Sequence, residues 1–178
     1  MVNVLLVGNG LHSNKRILPS LKKLEAVNSI SILDRNIEIE KQVTDTIKIL
    51  PYGEVSKSES FYDLGIVATP PYNHLQSYEV IVNKCRTVLI EKPLTNNLNA
   101  VRAKSIEEDL NKNKLIEALM YFHHPLWKKI INIVESSNIV EIDTKFSVPQ
   151  RTATDILPLR EVVLCLTREY TQYHLPNN

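Results

Sequence analysis

Apolar positions in this chain come in short blocks separated by polar, helix-spaced stretches. Val4–Val7 is a continuous apolar run that leads straight into Gly8-Asn9-Gly10. Ile17, Leu18, Leu21 and Leu24 then recur at helical spacing. The pattern predicts a strand over Val2–Val7 and a helix over roughly Ser13–Ala26, with Pro19 bending that helix or lying near its first turns. Ser29–Arg35 is β-branched and predicts a second parallel strand, with a helix over Asn36–Thr46 after it. Ile47–Leu50 reads as a short strand, Pro51-Tyr52-Gly53 as a turn and Ser56–Ser60 as a polar loop. Leu64–Ala68 is a buried strand that ends in Thr69-Pro70-Pro71-Tyr72-Asn73-His74, with a helix over Asn73–Lys84. Thr87–Ile90 is another, ending in Glu91-Lys92-Pro93. A long polar helix over Asn96–Asn113, with Leu98, Val101 and Ile106 inward, precedes a sixth strand, Leu115–Tyr121.

Strand and helix alternating at this spacing predict an α/β fold, a doubly wound parallel Rossmann sheet with helices on both faces. Such sheets bind ligands at the carboxyl ends of their strands. Gly8, Asp34, Thr69 and Lys92 all fall at such ends. Beyond Tyr121 the pattern changes. His123-His124-Pro125 opens an amphipathic helix with Trp127, Ile130, Ile131 and Val134 apolar. Ile139–Val148 then alternates residue by residue, as a half-buried antiparallel strand does. Arg151–Thr154 is a polar link and Ile156–Thr167 a last helix. The expected division is a dinucleotide-binding domain over 1–121 and a small α+β C-terminal extension over 122–178. A lone strand cannot form a sheet. Residues 139–148 are therefore expected to pair with the edge of the first sheet, with a second copy in a homo-oligomer, or with something outside the chain.

Composition narrows the function classes. Hydrophobic residues make up 43% and charged residues 23%, ordinary values for a globular protein. A net charge of +1 points to neither nucleic acid nor an anionic membrane. No apolar run approaches the roughly 20 residues needed to span a bilayer. The first residues enter a strand directly, with no signal-peptide pattern. Cys85 and Cys165 stand alone, as in a reduced, cytoplasmic protein, and no histidine joins them at zinc-ligand spacing.

Two of the four glycines stand in the first turn. In a nucleotide-binding turn the first supplies the bend, and the second leaves room for a pyrophosphate against the backbone. The third small position is Ser13 rather than glycine. Asp34 follows Gly10 near the offset of about 20 at which such folds place an acid on the adenosine ribose. It also suits a helix cap. Arg35 can stack on adenine or meet a 2′-phosphate, so both NAD and NADP stay open.

Four segments together resemble the Gfo/Idh/MocA family of NAD(P)-dependent oxidoreductases: GNGLHSNKRILPSL (Gly8–Leu21), ATPPYNH (Ala68–His74), IEKPL (Ile90–Leu94) and YFHHPLWKKI (Tyr121–Ile130). The Glu-Lys-Pro element is the most specific, and the resemblance covers about residues 1–150. It implies a cofactor, NAD or NADP, held by Gly8, Asn9, Gly10, Leu11, His12, Asp34, Arg35, Thr69, Pro70, Asn73, His74, Glu91 and Lys92. It implies Lys92 as the catalytic group beside the nicotinamide and the substrate hydroxyl, and a sugar, polyol or nucleotide-sugar as substrate. The residue-level alternatives are a surface lysine for Lys92, a helix-entry residue for His74 and packing beside Pro125 for His123 and His124.

The sequence departs from the family at one chemically telling place. Family members carry an acid and a histidine in a D-x-G-x-H-x-x-D-like segment. Here Asp155 matches, but Leu157, Leu159 and Val162 replace the other three. The alternative expectation is therefore a Rossmann-type binding protein, a partner or regulator that keeps the dinucleotide site without turnover.

Overall fold

The computed structural model describes residues 1–57, 59–97 and 104–136. The strand expected over 139–148, the link and helix after it, Cys165, the 155–162 segment, and Leu98 and Val101 of the expected long helix lie outside the described residues. The chain divides into two compact units, Met1–His124 and Pro125–Asn178. The second is represented by one helix, Pro125–Ser136.

The first unit is built on seven strands: β1 (Val2–Val7), β2 (Val27–Asp34), β3 (Lys41–Thr44), β4 (Ile47–Pro51), β5 (Tyr62–Val67), β6 (Cys85–Glu91) and β7 (Leu115–Ala118). They lie in the order β3-β4-β2-β1-β5-β6-β7. All neighbours are parallel except β3 and β4. The chain thus starts at the sheet centre, and both faces of β1 must be covered. Its sequence meets that demand with consecutive apolar residues. Val4 and Leu6 join a cluster with Leu21, Ile30, Ile32, Ile47 and Ile66. Leu5 and Val7 point the other way, into a cluster with Leu33, Tyr78, Ile81, Val88, Ile90 and Leu115.

Helices α1 (Leu18–Leu21) and α2 (His74–Ile81) follow β1 and β5, and α3 (Lys104–Asn111) precedes β7. The first helix is shorter than its apolar spacing predicts. A π-helical turn, Ser13–Ile17, precedes it, and the Leu18 N–H donates to the Ser13 carbonyl. Pro19 has no N–H to offer the preceding turn, and the π turn lies just before it. Leu24 is half exposed rather than part of a helical stripe.

Two further predictions need correction. Residues 36–46 form no helix; β3 turns back antiparallel onto β4, with Thr44 opposite Ile47. Ile37, Ile39, Val43 and Thr44 are β-branched, and β3 is exposed along its length, so no buried helical face exists to hold a helix there. The sheet is therefore doubly wound and parallel with one reversed edge. The last strand also stops short, at Ala118 rather than Tyr121. Ala118 lies opposite Glu91, where β6 itself ends. Leu119 leaves the extended conformation, and Met120–His123 form a 3₁₀ turn.

At Gly65, inside β5, α2 packs directly against the strand. A Cβ there would lie 2.8 Å from both the Cys85 Sγ and the Ile81 Cδ1.

Candidate functional site

The carboxyl ends of β1, β2, β4 and β5 open onto one cleft. Gly8, Asn9 and Gly10 form its floor, Asp34, Arg35, Asn36 and Tyr52 one wall, and Ala68, Thr69, Pro70 and Asn73 the other. The two glycines serve different ends. Gly8 has φ +105°, a region that L side chains rarely adopt, and a Cβ on it would stand 2.8 Å from the Ala68 carbonyl oxygen. Its N–H donates to the Leu33 carbonyl at 3.2 Å, which locks the turn onto β2. A Cβ at Gly10 would meet nothing within 4 Å. Gly10 is thus required by no packing contact, and the space beside its backbone is open to a phosphate group.

Asp34 stands at the end of β2 with its carboxylate oriented by two donors. The Asn9 Nδ2 donates to one oxygen at 3.0 Å, and the Asn36 backbone N–H donates to the other at 2.9 Å. The helix that Asp34 would have capped is absent. The Arg35 guanidinium carbon lies 5.0 Å from the centroid of the Tyr52 ring, a cation–π arrangement along the cleft wall.

The opposite wall is held from beneath. Ser77, fully buried on α2, lies 3.3 Å from the Thr69 hydroxyl, and the Tyr52 hydroxyl is 3.5 Å from the same Ser77 Oγ. His74 is equally enclosed, at 1% exposure. Its Nδ1 lies 2.8 Å from the Pro93 carbonyl oxygen and its Nε2 2.8 Å from the Thr69 carbonyl oxygen. Both ring nitrogens are taken up by the chain itself. The ring lies between the loop after β5 and the loop after β6, on the inner side of the cleft wall.

Glu91 and Lys92 sit at the end of β6. Glu91 Oε1 pairs with the His12 Nε2 at 3.0 Å, so the glycine-rich segment and the Glu-Lys-Pro segment touch through side chains. Leu11, His12 and Lys92 are exposed. His12 and Glu91 border a shallow apolar hollow with Leu21, Leu24 and Met120, apart from the cleft residues above. The site residues expected from sequence thus divide into a cleft set (Gly8, Asn9, Gly10, Asp34, Arg35, Thr69, Pro70, Asn73), a rim set (Leu11, His12, Glu91, Lys92) and an internal tie (His74). Sequence reasoning missed Tyr52, Asn36, Asn14 and Ser77. Tyr52 follows directly on β4, so the rule that ligands gather at strand carboxyl ends was signal enough to find it.

Two buried groups elsewhere in the first unit have raised pKa values. Burial lifts Tyr78 above its ordinary value, with help from its hydrogen bond to the Asp109 carboxylate at 2.5 Å and that group's charge. Burial alone pushes the Cys85 thiol up to about 12. Among the described residues no helix is long and apolar enough to cross a membrane.

Comparison with known proteins agrees with this architecture. The model of an oxidoreductase family with an NAD-binding Rossmann fold, GFO_IDH_MocA, matches residues 2–137. A curated relative, the uncharacterized oxidoreductase ORF334 of Rhizobium meliloti, is 24% identical over 140 residues, covering 77% of this chain and 42% of its own length. Among solved structures, KijD10, a 3-ketoreductase from Actinomadura kijaniata in complex with TDP-benzene and NADP, superposes with a TM-score of 0.58 at 21% identity. That match covers 78% of this chain and 44% of KijD10. The chain spans less than half the length of these relatives.

Proposed function

The chain belongs to the Gfo/Idh/MocA oxidoreductase family, and we propose that it holds NAD or NADP in the cleft at the strand ends and acts as an oxidoreductase on a sugar, polyol or nucleotide-sugar. One observation carries the cofactor reading. The packing-constrained Gly8, the packing-free Gly10 and the oriented carboxylate of Asp34 share a single cleft. These are the groups a dinucleotide needs: a bend, an approach for the pyrophosphate, and an acceptor for ribose hydroxyls. Thr69, Pro70 and Asn73 supply the second wall. KijD10, solved with TDP-benzene and NADP, supports the nucleotide-sugar end of the substrate range.

When bound, the nicotinamide supplies the hydride chemistry, and the chain supplies binding, orientation and charge. Lys92 is the group assigned to the reacting oxygen. An ammonium there stabilises negative charge as it develops on a substrate carbonyl being reduced, or orients a hydroxyl being oxidised. Glu91, paired with His12, holds the adjoining backbone beside the glycine-rich segment. Residues 122–178 are proposed as the substrate and dimerisation part, with 139–148 pairing with a second copy in a cytoplasmic homo-oligomer.

A second reading is favoured by the leucines and valine at 157, 159 and 162. With no histidine in that segment to take the hydroxyl proton, a loss of about 10²–10⁴ in rate is expected for that step. The protein is then a dinucleotide-binding partner or regulator without turnover. Nicotinamide fluorescence during titration with NADH and NADPH decides the shared part: no binding of either at millimolar concentration overturns both readings. Oxidation of NADH across a panel of keto-sugars separates them. If turnover is found, Lys92→Ala is expected to abolish it while leaving cofactor affinity nearly intact. Unchanged turnover removes Lys92 from its role.

A further inference from the structure

Asp34 is the end of a chain of side chains that starts in the helix-forming segment. The Asn14 Nδ2 donates to the Asn9 Oδ1 at 3.0 Å, and the Asn9 Nδ2 donates to the Asp34 Oδ2 at 3.0 Å. The direction is fixed by chemistry: a carboxylate only accepts, so the Asn9 nitrogen faces Asp34 and its oxygen is left for Asn14. The Asn14 Nδ2 also lies 2.8 Å from the Asn9 carbonyl oxygen and 3.0 Å from the Gly10 carbonyl oxygen, so its two hydrogens are shared among three acceptors of the turn. The far oxygen of Asp34 is held by the Asn36 N–H at 2.9 Å.

We propose that Asn9 and Asn14 are positioning residues that set cofactor choice, fixing Asp34 so that the cleft takes NAD and rejects NADP. The proposal rests on the reading of the cleft as a dinucleotide site. An ionised carboxylate has about four acceptor positions. The two amide donors fix its plane and leave the remaining positions for a ribose diol, which has two O–H groups to donate. A 2′-phosphate has acceptors only, and meets a carboxylate that cannot rotate away. The cation that would offset this charge is Arg35, but its guanidinium is stacked over Tyr52, with Nη2 3.5 Å from the Gln76 Oε1. KijD10 was solved with NADP, but at 21% identity it shares the fold and does not dictate the residues around the ribose.

The test compares dissociation constants of NADH and NADPH, by nicotinamide fluorescence, for the full chain and for Asn9→Ala, Asn14→Ala and Asp34→Asn. A hydrogen bond to a charged group corresponds to about a tenfold effect or more. The unaltered protein is expected to favour NADH by at least that factor, and Asp34→Asn to remove the preference. Asn9→Ala and Asn14→Ala are expected to lower the NADH:NADPH preference at least about fivefold, chiefly through tighter NADPH binding. A purely structural loss weakens both cofactors alike and leaves the ratio unchanged. Asn14 is exposed, so its variant tests the relay even if Asn9→Ala folds poorly. An unchanged ratio in folded Asn14→Ala, with the preference lost in Asp34→Asn, overturns the relay. A preference for NADPH in the unaltered protein overturns the NAD assignment alone. No binding of either cofactor overturns the dinucleotide reading beneath both.

Discussion

An alanine at position 8 would place its methyl carbon 2.8 Å from the Ala68 carbonyl oxygen, 3.0 Å from the Ala68 carbonyl carbon and 3.2 Å from the Thr69 nitrogen. All three are backbone atoms at the end of β5, so no side chain can swing aside. The same substitution forces an L residue to φ +105°. Holding a non-glycine residue in such a region costs about 1–3 kcal/mol, and overpacking against an unyielding wall costs about 1–3 kcal/mol more. Relief requires β5 and the turn to separate, which strains the Ala68 N–H to Val7 bond at 2.9 Å and the Gly8 N–H to Leu33 bond at 3.2 Å. A loss of about 3 kcal/mol is a large fraction of a stability of about 5–15 kcal/mol. In a chain of this size it lowers Tm by about 6–12 °C. Gly10→Ala is the matched control. Its methyl meets no protein atom within 4 Å, so stability should change by no more than about 0.5 kcal/mol. It occupies the space assigned to the pyrophosphate, so NADH affinity should fall about tenfold or more. Thermal melts and NADH titrations of both variants check the pair. A Gly8→Ala Tm within about 2 °C of the parent refutes the packing argument. Undiminished NADH binding by Gly10→Ala refutes the cofactor path.

Tyr78→Phe removes the bond to Asp109 and leaves that half-buried carboxylate short of a donor, which should destabilise the protein by about 1.5–3 kcal/mol; urea denaturation at pH 7 measures it, and a change below about 0.5 kcal/mol counts against the bond. The folded-state pKa values of both Tyr78 and Cys85 lie above their ordinary ones, so folding favours the neutral forms. That stability is complete below about pH 9 and is lost as pH climbs towards about 12. Urea midpoints should accordingly fall from pH 9 to pH 11, and a flat profile contradicts the burial argument. In a Cys165→Ser background, the Cys85 thiol should react with a disulfide reagent at pH 8 about 10³-fold more slowly than in denaturant, because reaction waits for the sheet to open. Equal rates would place Cys85 at the surface.

Much of the cleft is legible in the sequence because strand ends can be counted. Gly8, Asp34 and Thr69 each follow an apolar run, and the parallel topology delivers all such ends to one edge. Orientation is less legible. The segment ATPPYNH locates His74 within a few residues of Thr69, but no spacing tells whether the ring turns to the cleft or to the core. Its burial depends on the loop after β6, 19 positions away. Asn14 and Ser77 were invisible for a related reason: bonds between short polar side chains leave no periodic trace. The reversed strand β3 was missed because repeated alternation of strand and helix invites another helix. The β-branched residues between 37 and 44 carried the contrary signal.

The buried imidazole of His74 makes the two loops at the end of β5 and β6 a single mechanical part. Thr69 borders the cleft proposed for the cofactor, and Pro93 adjoins Lys92, the lysine proposed for the substrate oxygen. One ring lies 2.8 Å from a carbonyl oxygen of each loop. A side chain absent from the cleft surface thus lies between the cleft wall and the segment after β6.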